Sequence, residues 1–289
     1  MISADLMQAV RLLEIKTRRA CAGFQQGEFR KTRQGSGFEF DQLDEYHPGC
    51  DIRFIDWKGT ARTQKILVRR FKDERQRKIL LVVDISSSTY FGSNGFLKHS
   101  VNMQIAAILA FAGSFCHDAV GCFLFDEDIV DYLPARADQK HIIRLVKHLL
   151  SKTTRGKGTR FDAVLAPLLQ MHETPLLVIV ISDFISMNAH SLWTALTHKH
   201  EVCAIRVGDM REKELPQIMP FVLEDPETGE LLVCQSKQDI RHINNVLQER
   251  EDEQKMFFKK NNIAYLHLLN HENFINDVVK FFKAQIGRV

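Results

Sequence analysis

The sequence predicts an α/β fold: a doubly wound, mostly parallel six-stranded sheet, with an N-terminal helix plus β-rich extension and an inserted β-hairpin. Three observations predict it. From residue 78 onward, short apolar runs alternate with amphipathic stretches, the rhythm of strand–helix–strand units. The run over residues 79–83 is apolar without a break and rich in β-branched residues, as in a strand buried on both faces. That run ends in Asp84, and the most hydrophobic run, residues 176–181, ends in Ser182 and Asp183. Polar groups there fall where open α/β sheets place their ligands.

Two domains are expected, residues 1–76 and 77–289, with the hairpin inserted at about 219–235. The first opens with an amphipathic helix over residues 3–22, with Leu6, Val10, Leu13 and Thr17 at helical spacing. A basic connector over residues 25–37 carries Arg30, Lys31 and Arg33 and reads as a solvated loop. Residues 37–76 alternate strands, at 38–40 and 65–71, with turns such as His47-Pro48-Gly49. Ile52, Phe54 and Ile55 are expected to be buried, with Trp57 as a large anchor. In the second domain, strands are expected at 79–83, 119–125, 129–133, 176–181, 201–207 and 263–269. Helices are expected at 96–117, 140–150, up to Met171, 190–198, 237–260 and 272–285. The short turn between the second and third strands permits one antiparallel pair at an edge. Two apolar arms around Asp225-Pro-Glu-Thr-Gly229 read as a β-hairpin.

Composition narrows the class of function. With 45% hydrophobic residues, the chain can bury a sizeable core without staples. A net charge of +3 does not demand a nucleic-acid partner. No apolar run reaches the length of a membrane span, and Asp5, Arg11 and Glu14 interrupt any signal-peptide core, so a cytoplasmic protein is expected. The cysteines lack Cys-x-x-Cys spacing, which disfavours a zinc site or a disulfide framework. Cys116, Cys122 and Cys203 are expected as small core residues.

Three loops carry hard-cation ligand types: Asp84, Ser86 and Ser88 on the first, Thr159 in Arg155-Gly-Lys-Gly-Thr-Arg160, and Asp183 on the third. Magnesium prefers oxygen ligands, keeps waters and uses few carboxylates. This set suits Mg2+, with Mn2+ or Ca2+ as alternatives, and leaves an open position for a partner's carboxylate. The competing reading is that Ser86 and Ser88 cap a helix. Asp84 and Asp183 weigh against it, because a carboxylate ending a buried strand needs a partner. Other constellations read as structural. Asp126-x-Asp128 with Asp131 is an acidic hairpin turn without a calcium-loop frame. Gly156-Lys-Gly-Thr159 lacks phosphate-loop spacing. His198-x-His200 reads as a solvated or capping pair, and no nucleophile elbow surrounds Ser86 to Ser88.

Asp84-x-Ser86-x-Ser88, then Thr159, then Asp183, on this strand alternation, resembles the metal-ion-dependent adhesion site (MIDAS) of von Willebrand factor A-like domains. The resemblance implies that Ser86, Ser88 and Thr159 contact the ion directly, and Asp84 and Asp183 directly or through water. Upstream, Gly37-x-Glu39-Phe40, Tyr46-x-Pro48-Gly49-x-Asp51-x-Arg53-x-Ile55-Asp56-Trp57 and Ala61-Arg62 resemble the bacterial domain of unknown function 58 (DUF 58) family. The match departs from the family pattern at Glu45 and Cys50. It implies a working link with MoxR-type AAA+ ATPases, as an adaptor or chaperone-like partner. Independently of the family, Asp51, Arg53, Asp56 and Arg62 alternate with apolar residues, the pattern of a half-buried segment with paired charges.

The expected function is therefore a non-enzymatic protein-interaction module with a magnesium-dependent site at Asp84, Ser86, Ser88, Thr159 and Asp183. A metal-dependent hydrolase or phosphatase using the same ion is the alternative. Nucleic-acid binding through Lys16, Arg18, Arg19, Arg30, Lys31 and Arg33 is disfavoured, since few aromatics interleave with them.

Overall fold

The computed structural model describes residues 34–35, 39–47, 52–63, 65–72, 77–93, 95, 97–152, 156, 158–171, 174–213, 215, 220–224, 229–270 and 274–286. The expected helix over residues 3–22, most of the basic connector, Pro48, Gly49 and the hairpin tip at residues 225–228 lie outside them. The described residues divide into two compact units, a smaller one within residues 34–72 and a larger body within residues 77–286.

In the smaller unit, β1 (Gln34–Gly35) and β2 (Glu39–Glu45) both pair antiparallel with β3 (Leu67–Lys72). A 3-10 turn (Ile52–Phe54) and α1 (Trp57–Thr63) connect β2 to β3. Burial here departs from expectation: Ile52 and Trp57 are 66% and 69% exposed, and Phe54 and Ile55 are half-buried. Three short strands and a two-turn helix offer too little apolar area to enclose them. Of the four charges expected to pair, Asp51 lies outside the described residues and Asp56 is the one with an ion pair shown, to Arg69 on β3. Asp56 accepts from Arg69 Nη2 at 2.9 Å, and Glu45 pairs with Lys65.

The larger body runs β4 (Lys78–Asp84), a 3-10 turn (Ser87–Tyr90), α2 (Lys98–Phe115), β5 (Ala119–Phe125), β6 (Ile129–Arg136), α3 (Gln139–Ser151) and α4 (Phe161–Met171). It continues through β7 (Leu177–Ser182), α5 (His190–Lys199), β8 (Glu201–Gly208), α6 (Met210–Lys213), β9 (Phe221–Glu224) and β10 (Leu231–Cys234). It ends with α7 (Lys237–Lys260), β11 (Ala264–Leu269) and α8 (Phe274–Ile286). The expected elements from residue 78 are present, with ends shifted by three residues or fewer. The six-stranded sheet has the order β6-β5-β4-β7-β8-β11, parallel except for β6, the antiparallel edge.

Strand alternation builds a core on each face of this sheet. Ile79, Leu81 and Val83 of β4 pack with Ile105 of α2, Leu145 of α3 and Val278 of α8. Leu80 and Val82 face the other way, with Phe161 of α4, Trp193 of α5 and Phe258 of α7. Each such buried side chain contributes about 1.5–3 kcal/mol, which is why β4 can be apolar throughout. Gly121 lets β6 approach β5 at a bulge, where a Cβ would meet the Ala135 nitrogen at 2.7 Å. Cys122 and Cys203 are buried as expected, but Cys116 is exposed because α2 ends at Phe115. His200 caps the end of α5 and is buried, its Nδ1 accepting the Leu176 amide at 3.2 Å.

The expected hairpin is β9 paired antiparallel with β10, Val222 opposite Val233 and Leu223 opposite Leu232. Val222, Leu231, Leu232 and Val233 are exposed. Among the described residues no helix is long and apolar enough to cross a membrane.

Candidate functional site

From β4 the chain builds β5 and β6 to one side, then crosses back to add β7, β8 and β11 on the other. The crevice outside the carboxyl ends of β4 and β7 is thus the topological switch point. β4 ends in Asp84, and β7 ends in Ser182, followed by Asp183. Asp84, Ser86, Ser88, Thr159, Ser182 and Asp183 are all buried.

Asp84 is held from two sides. Its Oδ1 accepts the Ser86 amide at 2.9 Å, and its Oδ2 accepts the Ser182 hydroxyl at 2.5 Å. Burial pushes the Asp84 carboxyl up, neighbouring Asp183 pushes it further, and the bonds from Ser182 and Ser86 offset only part, leaving it at about 7. Ser86 stands at the N-cap of the 3-10 turn yet makes no side-chain capping bond. Its Oγ lies 3.1 Å from Ser88 Oγ. Capping therefore does not account for Ser86.

The Asp183 loop is aimed by an unusual backbone. Phe184 has φ 53°, in the left-handed region that bulky residues rarely adopt. Its ring stacks on Phe161, with centroids 5.4 Å apart and planes 8° apart, and its carbonyl accepts Gln254 Nε2 at 2.6 Å. Asp183 Oδ1 accepts the Ile185 amide at 3.2 Å.

Thr159 is delivered by the acidic turn between β5 and β6. Asp126 Oδ2 accepts the Gly156 amide, Glu127 Oε1 the Gly158 amide, and the Asp126 carbonyl the Arg160 amide, each at 2.9 Å. The turn is the acidic hairpin expected and also the clamp for this loop. Phe161, two residues beyond Thr159, stacks on Phe184, next to Asp183. Direct bonds thus join Asp84 to Ser86 and Ser182, and Ser86 to Ser88, while Thr159 and Asp183 arrive on loops joined through Phe161 and Phe184.

Sequence reasoning missed Ser182, Asp126, Gln254 and, above all, Lys98. Lys98 opens α2 and is 0% exposed. Its Nζ lies 2.9 Å from Asp183 Oδ2 and 2.5 Å from Glu212 Oε1. Burial alone would push this ammonium down, but the Asp183 and Glu212 carboxylates outweigh it and hold it above the ordinary lysine value. The available signal was a lysine in the first turn of a helix, the end that favours anions.

The donor set fits a hard cation. Octahedral magnesium, with metal–oxygen distances near 2.1 Å, places adjacent ligands about 3 Å apart, and the two serine hydroxyls are 3.1 Å apart. Among the described residues no group of three or more His, Cys, Asp or Glu side chains forms a metal-binding cluster. Any ion here would rest on hydroxyls as much as on carboxylates.

Fold and site together define a doubly wound α/β body with buried oxygen-bearing side chains at the carboxyl ends of β4 and β7. The chain belongs to the family described as protein of unknown function DUF58, which matches residues 42–254. An uncharacterised protein of Mycobacterium tuberculosis is 30% identical over 227 residues, covering 78% of this chain and 72% of that one, and one of Mycobacterium bovis matches equally. Among solved structures, the conserved hypothetical protein BatB from Bacteroides thetaiotaomicron has a TM-score of 0.47 at 14% identity, covering 74% of this chain and all of that one. The SpRpn10 VWA domain has a TM-score of 0.39 at 7% identity, covering 71% of this chain and 94% of that one.

Proposed function

We propose that this protein is a non-enzymatic, cytoplasmic interaction module that captures an acidic side chain of a partner protein through a divalent cation. Asp84, Ser86, Ser88, Thr159 and Asp183 would hold the ion, Mg2+ or else Mn2+ or Ca2+. The family resemblance supports a MoxR-type AAA+ ATPase as the partner, with this chain as adaptor or chaperone-like protein. One observation carries the reading: two buried serine hydroxyls, spaced like neighbouring ligands of one ion and unspent on capping, beside two buried carboxylates. The bound ion would supply a Lewis-acidic position for the partner's carboxylate. The chain's own groups do the positioning. Asp84 orients the Ser86 amide, Ser182 orients Asp84, and the acidic turn holds the Thr159 loop. The exposed row of Val222, Leu231 and Val233 adds apolar contact area.

Isothermal titration of Mg2+ or Mn2+ into wild type and Asp84→Ala tests this. Saturable heat is expected in wild type and none in the variant; equal heats, or none in either, end the reading. Partner capture from a lysate is expected to be lost in chelator. Turnover in a broad phosphoesterase screen would replace capture by hydrolysis.

A further inference from the structure

Lys98 is expensive where it stands. A lysine in the first turn opposes the helix macrodipole, and α2 has neither an acidic residue in that turn nor a side-chain cap. Removing an ammonium from water is strongly unfavourable, and only nearby carboxylates offset that penalty. What offsets this is a pair of unlike carboxylates. Asp183 is fully buried and belongs to the ion site, whereas the Glu212 side chain, on α6, is 25% exposed. The remaining carboxylate oxygens at the site are already committed. Asp84 accepts the Ser86 amide and the Ser182 hydroxyl, and Asp183 Oδ1 accepts the Ile185 amide. Asp183 Oδ2 is the oxygen bonded to a group that can move, the end of a four-carbon chain.

Resting on the ion site proposed above, we infer that Lys98 is a tethered cation that competes for Asp183 and yields it to a divalent ion while keeping its existing bond to Glu212. Lys98 thereby sets the affinity of the site. Glu212 already bonds the ammonium at 2.5 Å, and its partial exposure lets it keep that charge at lower desolvation cost than a second buried carboxylate would.

Two measurements on the full chain test it. In the first, Mn2+ is titrated calorimetrically into wild type and Lys98→Met, each checked for a cooperative melt. The variant is expected to bind about tenfold more tightly or better, since a competing charge a few ångströms away is gone. In the second, 13Cε-lysine spectra of wild type are followed during Mg2+ titration, with Lys98 assigned by its loss in Lys98→Met or its shift in Glu212→Gln. The Lys98 resonance is expected to move with the same midpoint as the binding heat. The inference is overturned if Lys98→Met binds no more tightly than wild type, or if wild type takes up Mg2+ while the Lys98 resonance stays still. Should Lys98→Met not fold, the wild-type spectra decide. Binding by the variant alone upholds the inference and removes the wild type as an ion binder; binding by neither removes both.

Discussion

The Asp126 carboxylate accepts the Gly156 amide at 2.9 Å, and its main-chain oxygen accepts the Arg160 amide at the same distance. One residue of the β5–β6 turn thus grips both sides of Thr159. A Cβ on residue 156 would lie 2.5 Å from Asp126 Oδ2. Gly156→Ala is therefore expected to push the loop off its clamp. The cost is about 1–3 kcal/mol by urea unfolding, together with about tenfold weaker Mn2+ binding, as for loss of a support behind a ligand. A variant that unfolds and binds like wild type would show that the loop adjusts freely.

Phe184 joins burial to a left-handed backbone. Phe184→Ala is expected to cost about 3 kcal/mol or more, from the lost contacts with Phe161, Trp193 and Phe258. Phe184→Gly is expected to be no less stable than Phe184→Ala, because glycine adopts positive φ without the Cβ clash. In ordinary helix or strand glycine would be worse by about 0.5–1 kcal/mol, so urea midpoints of the two variants discriminate.

Asp209 ties the ends of β8 and β11 to the loop after β4. It accepts the Ser93 hydroxyl at 2.5 Å, the Ser93 amide at 2.8 Å and Asn270 Nδ2 at 2.6 Å. Burial pushes its carboxyl up, but these bonds and the Arg211 amide outweigh it and leave the group below the ordinary carboxylate range. A depressed folded pKa contributes stability above the unfolded value, about 3.9, and loses it as pH falls through the folded value. Asp209→Asn is expected to be about 1–3 kcal/mol less stable at pH 7. The gap should narrow steadily below about pH 4. Urea unfolding that showed the same gap at neutral and acid pH would contradict this assignment.

In the smaller unit Asp56 both precedes α1 and pairs with Arg69. The Arg69 side chain is half exposed, so Arg69→Ala is expected to change stability by less than about 1 kcal/mol. Asp56→Ala also removes the carboxylate from the start of α1, where backbone amides of Lys58 and Gly59 bond to it, and is expected to destabilise the unit more than Arg69→Ala does. Amide exchange across residues 57–63 should accelerate in Asp56→Ala and barely change in Arg69→Ala; equal acceleration would mean that the ion pair dominates.

The main sheet was legible because its strands are buried on both faces. Residues 79–83 and 176–181 could only be apolar throughout if helices covered them above and below, as α2, α3, α8 and α4, α5, α7 do. The smaller unit was less legible. Ile52 and Trp57 are apolar, but the local sequence carries no measure of how much partner area a three-stranded sheet can offer them. Cys116 failed for a related reason, lying one residue past the end of α2.

The sequence by itself determined the strand rhythm, the carboxylates at the ends of β4 and β7, and the family signature upstream, because each is written in consecutive residues whose spacing matches a backbone period. Only the tertiary structure decided how the oxygens are supported. Asp84 meets Ser182 across 98 positions of chain, Lys98 meets Asp183 across 85 and Glu212 across 114. Such contacts exist because β4 and β7 become neighbours at the switch point and α2 starts above them. Pairing of charge depends on distance in space, which the order of residues does not state, so the cation already resting at the site emerged only with the fold.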